Sequence, residues 1–129
     1  MDVANVGLKI LLVDDEEDIR DSLTYLLESE GYKVYTGSNR VEAEKIVREK
    51  EVNFAILDYV LVDSTGVQLA RDLHKIDENI KFMLFSGYTD VQNLKNELGF
   101  RIYEVFLKPI DPAAFLEKLQ KVVASIWET

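Results

Sequence analysis

Three carboxylates, a hydroxyl and a lysine stand where short apolar runs of this sequence stop. Asp14 and Asp15 follow the run LKILLV, Asp58 follows FAIL, Ser86 and Gly87 follow KFMLF, and Lys108 with Pro109 follows YEVFL. Carboxylates gathered in one place repel one another unless a cation, a proton or a lysine compensates. A divalent ion with oxygen ligands is the natural partner. Mg2+ takes a few carboxylates and keeps several waters, and no His or Cys near these positions points to zinc or copper. Three carboxylates, one Mg2+ and the Lys108 ammonium sum to zero charge. Such a site suits a phosphoryl group, whose oxygens can bind metal, ammonium, the Ser86 hydroxyl and free backbone amides.

These groups can meet only if the runs that carry them lie side by side. Short apolar runs alternate with longer amphipathic stretches, and the alternation repeats five times without a linker or low-complexity break. Strands are expected at 8–13, 33–36, 54–57, 81–85 and 103–107; the first, third and fourth are nearly all apolar, as suits strands covered on both faces. Ile19, Leu23, Leu26 and Leu27 make a helical stripe that Gly31 would end in a left-handed C-cap. Val41, Ile46 and Val47 mark a second helix capped by Asn39 or Ser38. Leu69, Leu73 and Ile76 mark a third, and Val91, Leu94 and Leu98 a fourth that stops near Gly99. Phe115, Leu119, Val122 and Ile126 mark the last, opened by Asp111 and Pro112. Five βα units imply an α/β fold in three layers: a five-stranded, doubly wound parallel sheet with right-handed crossovers and helices on both faces. A dinucleotide-binding version is disfavoured, because the first βα turn reads VDDEED and offers acids where a pyrophosphate needs glycine and amides. Ligands of such sheets bind beyond the carboxyl ends of the strands, where the acids and the lysine stand.

Composition narrows the function further. The 129 residues carry 24 acids against 15 bases, a net charge of −9, and 47% hydrophobic residues. That is one domain with enough apolar material for a core. The negative field argues against binding to nucleic acid or anionic membrane. The absence of Cys removes thiol chemistry and disulfides, and fits a reducing compartment. With no apolar run near the roughly 20 residues of a membrane span and no signal-like start, a cytoplasmic location is expected.

The ordered set of an acidic pair (Asp14, Asp15), an Asp after strand three (Asp58), a Ser after strand four (Ser86) and Lys-Pro after strand five (Lys108, Pro109) resembles the receiver domain of two-component response regulators, of the stand-alone CheY-like kind. The resemblance covers about residues 8–125 of a single domain spanning 1–129. It implies a flavodoxin-like (βα)5 fold with strand order 2-1-3-4-5. It also implies a signalling domain rather than an enzyme, with only self-catalysed phosphoryl transfer and autodephosphorylation. Asp58 would take phosphate from a phosphohistidine on a sensor histidine kinase or a histidine phosphotransfer protein. Asp14, Asp15, Asp58 and the backbone carbonyl of Val60 would hold Mg2+, for which Mn2+ could substitute. Lys108 would pair with Asp58 and then with the phosphoryl oxygens, aimed by a cis Lys108–Pro109 bond; Ser86 and Gly87 complete the phosphoryl-binding switch. Output would pass to an unidentified protein through the face of helix four, strand five and helix five, with dimerisation on phosphorylation as a second consequence.

Three features depart from the family pattern. The stretch DYVLVDSTG keeps Gly66 but has Val62 where proline is usual, so a differently shaped loop is expected. Val105 replaces the usual aromatic three residues before the lysine, leaving Tyr103 and Phe106 as the neighbouring candidates for an aromatic switch. Val60 and Tyr88, two residues after Asp58 and Ser86, border the path of an attacking water, and their bulk predicts a long-lived phosphoryl state.

Plainer readings accompany each feature. The run DDEED complements the positive start of a helix, Asp63 is a turn or cap residue, His74 is a surface residue, and Trp127 with Leu116 and Val123 belongs to the core. Two other functions compete. An Asp-phosphate-forming phosphatase or phosphotransferase would need a second acid where Val60 stands; a degenerate receiver acting as a constitutive scaffold would not need the full polar set.

Overall fold

The computed structural model describes residues 7–87, 102–108 and 111–127. Five parallel strands form one sheet: β1 (Lys9–Val13), β2 (Lys33–Gly37), β3 (Phe54–Asp58), β4 (Lys81–Ser86) and β5 (Ile102–Leu107). Their order is β2-β1-β3-β4-β5, as the receiver resemblance implied. The order reverses between β1 and β3, and the ends of those two strands carry Asp14 and Asp58.

Strand alternation divides the core into two apolar layers. Leu11, Val13, Ala55, Leu57, Phe82, Leu84 and Val105 face α2 (Arg40–Glu49) and α3 (Gly66–Ile76). Ile10, Leu12, Phe54, Ile56, Met83, Phe85 and Phe106 face α1 (Glu17–Ser29) and the C-terminal helix (Pro112–Trp127). Burial of each large side chain contributes on the order of 1.5–3 kcal/mol. The central strands are apolar on both faces because both are covered.

Local chemistry sets where the helices start and stop. α1 begins after Glu16 with Glu17 and Asp18 in its first turn, where a negative charge suits the helix dipole. It stops at Ser29, and two residues on Gly31 has a φ of +93°, the left-handed conformation expected of a glycine that closes a helix C-terminus. Asn39 caps α2 by accepting from the Glu42 amide at 2.9 Å, and the Glu42 carboxylate returns the favour to the Ser38 amide at 2.6 Å. Thr65 caps α3, and Asp111 accepts from the Ala114 amide at the head of the C-terminal helix.

Some expectations needed correction. Val41 does not join the buried face of α2; it is exposed, and Ala43 fills that place beside Val47. His74 is half-buried rather than on the surface. Strands β3 and β4 each run one residue further than expected, so Asp58 and Ser86 are the last strand residues and share the rigidity of the sheet. The fourth predicted helix, with Val91, Leu94, Leu98 and Gly99, lies outside the described residues, as do Tyr88, Pro109 and the side chains of Tyr103 and Trp127.

Candidate functional site

At the carboxyl edge of the sheet the Lys108 ammonium donates to Asp58 Oδ2 at 3.0 Å and to Asp14 Oδ2 at 3.1 Å, and it lies 3.5 Å from Glu16 Oε1. Lys108 is held from below: its backbone amide donates to the Ser86 carbonyl at 2.8 Å, which continues the β4–β5 ladder past the strand end. Its ammonium also sits over the ring of Phe85, 5.3 Å from the centroid, within cation–π range. Sheet register puts Asp58 beside Phe85, so the strand that carries the acid and the strand that carries the aromatic floor are direct neighbours.

Asp14 is fully buried and fully engaged. Oδ1 accepts from the Glu16 amide at 2.8 Å, Oδ2 takes the lysine, the backbone amide donates to the Gly37 carbonyl, and the backbone carbonyl accepts from Arg20 Nη1 at 2.7 Å. Asp15 and Glu16 are exposed. Oxygens of Asp14, Asp15 and Glu16 lie within 4.8 Å of one another, a grouping that could hold a metal ion. Glu16 was not among the candidate ligands read from the sequence; the signal available was that it is the third acid of the run DDEED.

Burial sets the electrostatics. It pushes the Asp58 carboxyl up to about 6 from 3.8; the Lys108 hydrogen bond opposes the shift and the Asp14 charge adds to it. Burial likewise raises Asp14, partly offset by the Glu16 amide and by Lys108. For Lys108 burial works downward, but the bond to Asp58 and the charge of Asp14 outweigh it and the net direction is up. Two buried carboxylates share one ammonium, and the excess negative charge is what a bound cation would relieve.

The loop after Asp58 closes as a small hairpin. Gly66 N–H donates to the Tyr59 carbonyl at 2.7 Å and Leu61 N–H to the Ser64 carbonyl at 3.1 Å, so Val60 and Thr65 face each other as an antiparallel pair. In a pair flanked by such bonds the facing residues do not spend their own amides and carbonyls on each other. The Val60 carbonyl is therefore not an acceptor in this bridge. Gly66 is required by a close approach: a Cβ there would meet the Asp58 carbonyl oxygen at 2.4 Å.

The remaining candidates are distributed as follows. Ser86 is fully buried beside Asp58's edge of the sheet, and Gly87 is exposed with open space around it. Phe106 packs on Phe115, with ring centroids 5.3 Å apart, in the layer under α1 and the C-terminal helix. Strand alternation puts Phe106 and Ser86 on opposite faces, so Phe106 shares the face of its register partner Phe85 and does not stand beside the Ser86 side chain. Val60 is half-exposed at the mouth.

The sequence matches the family model of the response regulator receiver domain over residues 10–120. It is 28% identical over 103 residues to sporulation initiation phosphotransferase F of Bacillus subtilis, covering 80% of this chain and 83% of that protein. It is 30% identical over 122 residues to the phosphate regulon transcriptional regulatory protein PhoB of Pseudomonas aeruginosa, covering 92% of this chain but only 52% of that protein, about half its length. Among solved structures, a CheY-like response regulator receiver domain protein from Methanospirillum hungatei superposes with a TM-score of 0.82 at 30% identity, covering 92% of this chain and 94% of that one. The response regulator TrrA of Thermotoga maritima, solved with Mg2+ and BeF, superposes with a TM-score of 0.77 at 28% identity, covering 89% of this chain and 98% of that one. Sequence match and fold agree over the same stretch, and the chain belongs to the response regulator receiver domains, the signalling modules of phosphorelays.

Proposed function

We propose that this receiver, read as a single domain over 1–129 with its core at about 8–125, accepts a phosphoryl group on Asp58 in a Mg2+-dependent step and thereby switches a protein-binding surface. The observation that carries the reading is the Lys108 ammonium bonded at once to Asp58 Oδ2 and Asp14 Oδ2 at the strand-order reversal of the sheet. An oxygen of Asp58 attacks the phosphorus of a phosphohistidine on a histidine kinase or phosphotransfer protein. The P–O bond forms, the P–N bond breaks, and the imidazole nitrogen leaves with the electron pair and regains a proton. Lys108 holds the carboxylate in place before transfer and pairs with phosphoryl oxygens after it, while the Ser86 hydroxyl and the Gly87 backbone complete the cradle.

The donors fit Mg2+, since Asp14, Asp15 and Glu16 offer only carboxylate oxygens. Asp15, the exposed acid, would hold the ion directly and the fully engaged Asp14 through water, with Asp58 and the Val60 carbonyl as the other ligands; Mn2+ suits the same set. When bound, the ion spreads negative charge off the transferring group. The phosphoryl group adds about −1.5 to −2 charge, felt first at Ser86 and Lys108. Output through helix four, strand five and the C-terminal helix, and dimerisation, belong to the same reading. So does slow dephosphorylation caused by Val60 and Tyr88.

Incubation with Mg2+ and acetyl phosphate or phosphoramidate, followed by intact mass, tests this. One phosphoryl group should add, and should be absent in Asp58→Asn and without Mg2+. Continuous phosphate release from small esters would favour the phosphatase instead, and no addition from any donor would favour the scaffold. Family membership favours the receiver over the phosphatase, and the full polar set, with Lys108 bonded to Asp58 and Asp14, favours it over the scaffold.

A further inference from the structure

Asp63 stands at the tip of the hairpin that follows Asp58, and its contact is not local. Asp63 Oδ1 accepts from the backbone amide of Arg40, the first residue of α2, at 2.9 Å across 23 positions of sequence. The first amides of a helix have no partner within it. At α2 two of them are satisfied by different means: Asn39 takes the Glu42 amide from within the helix's own cap, and Asp63 takes the Arg40 amide from another loop. The Arg40 guanidinium is engaged elsewhere, with Glu44 at 2.9 Å and Asp72 at 4.0 Å, so the contact to Asp63 is a backbone one.

The position of this bond matters for what lies between its ends. The base of the hairpin is fixed by Tyr59 N–H to the Phe85 carbonyl at 2.8 Å and by Gly66 N–H to the Tyr59 carbonyl. Val60, whose carbonyl is not used in the bridge to Thr65, lies between that base and the tip. Val62 occupies the place where a proline would stiffen the loop. A loop held only at its base can swing, and its carbonyls swing with it; a loop held at both ends cannot.

We propose that Asp63 is a positioning residue for the cation site: by tying the hairpin tip to the head of α2 it restrains the Val60 carbonyl that would serve as a ligand. This rests on the reading of Asp58 as phosphoacceptor with Mg2+ beside it. Asp63 itself touches neither ion nor phosphoryl group. The tether also makes the start of α2 a mechanical part of the site, through an acceptor that Asn can supply as well as Asp.

The test uses Asp63→Ala, Asp63→Asn and Asn39→Ala in the full chain. Asn39→Ala removes the other cap of α2 and leaves the hairpin alone, so it controls for loss of helix stability. MgCl2 titrations followed by amide NMR shifts give the dissociation constant, and hydrogen exchange of the Arg40 and Leu61 amides in metal-free samples reads the tether itself. Asp63→Ala should weaken Mg2+ roughly tenfold, as loss of a group that orients a ligand does, and should speed exchange at both amides. Asp63→Asn should keep both within twofold of the parent, and Asn39→Ala should leave Mg2+ binding and Leu61 exchange unchanged while lowering the urea midpoint. Parent-like Mg2+ affinity in Asp63→Ala overturns the proposal, as does equal weakening in Asn39→Ala or in Asp63→Asn. If the parent protein bound no Mg2+ at all, the phosphoacceptor reading would fail and this role with it, whereas the metal-free exchange would still report whether the tether exists.

Discussion

Asp58 carries a charge that its surroundings penalise, and removing that charge measures the penalty. It is only 5% exposed, and its pKa stands at about 6 against 3.8, because burial and the Asp14 charge outweigh the Lys108 hydrogen bond. A folded-state pKa above the unfolded one means that the stability linked to this group is fully present below about pH 3.8 and is lost as pH rises through about 6. Roughly two units at about 1.4 kcal/mol each make the loss about 3 kcal/mol. Asn imitates the protonated acid. In metal-free protein the stability of Asp58→Asn relative to the parent should therefore grow by about 3 kcal/mol between about pH 4 and pH 8, a relative gain in Tm of roughly 10 °C for a chain of this size. Lys108 does not confuse the comparison, since its pKa is raised from 10.5 and it stays charged across the window. Urea unfolding followed by circular dichroism in EDTA, at one-unit steps of pH, supplies the curve. A difference that is flat with pH, or that shrinks toward pH 8, refutes the reasoning. Adding Mg2+ at pH 8 should narrow the gap, because a ligand that binds only the folded parent stabilises it by mass action.

Three further outcomes follow from the same geometry. Lys108→Met leaves Asp14 and Asp58 buried without their cation and should cost about 3–5 kcal/mol at pH 8, with a smaller loss near pH 5 as the acids take up protons; equal losses at both pH values in urea titrations would contradict this. Gly66→Ala puts a methyl 2.4 Å from the Asp58 carbonyl oxygen, and should lower stability by about 1–3 kcal/mol. Gly87→Ala, with nothing within 4 Å, should change stability by under about 0.5 kcal/mol; the two thermal melts side by side decide whether the close approach is real.

The chemistry of the edge was legible because strand ends are legible. Apolar runs of four to six residues stop at Asp14, Asp58, Ser86 and Lys108, and a parallel sheet brings such ends to one edge whatever the loops do. Helix caps at Asn39, Asp111 and Gly31 were readable for the same reason, since their causes lie within a few residues of chain. Val41 misled because helical spacing alone cannot say which edge of an apolar stripe meets the sheet; α2 turns Ala43 and Val47 inward and leaves Val41 outside.

What the sequence determined by itself is the inventory: alternating units that close into a doubly wound sheet, and acids, hydroxyl and lysine at its strand ends. Only the tertiary structure decided the pairings. One ammonium serves both Asp58 and Asp14, Glu16 stands with the acid cluster, Phe106 turns away from Ser86, and Asp63 caps a helix 23 residues earlier. Each of these depends on groups far apart in the chain and on the direction a side chain takes from its strand or turn. Pattern along a sequence records which elements form and which face is apolar; distances between side chains exist only once the elements pack.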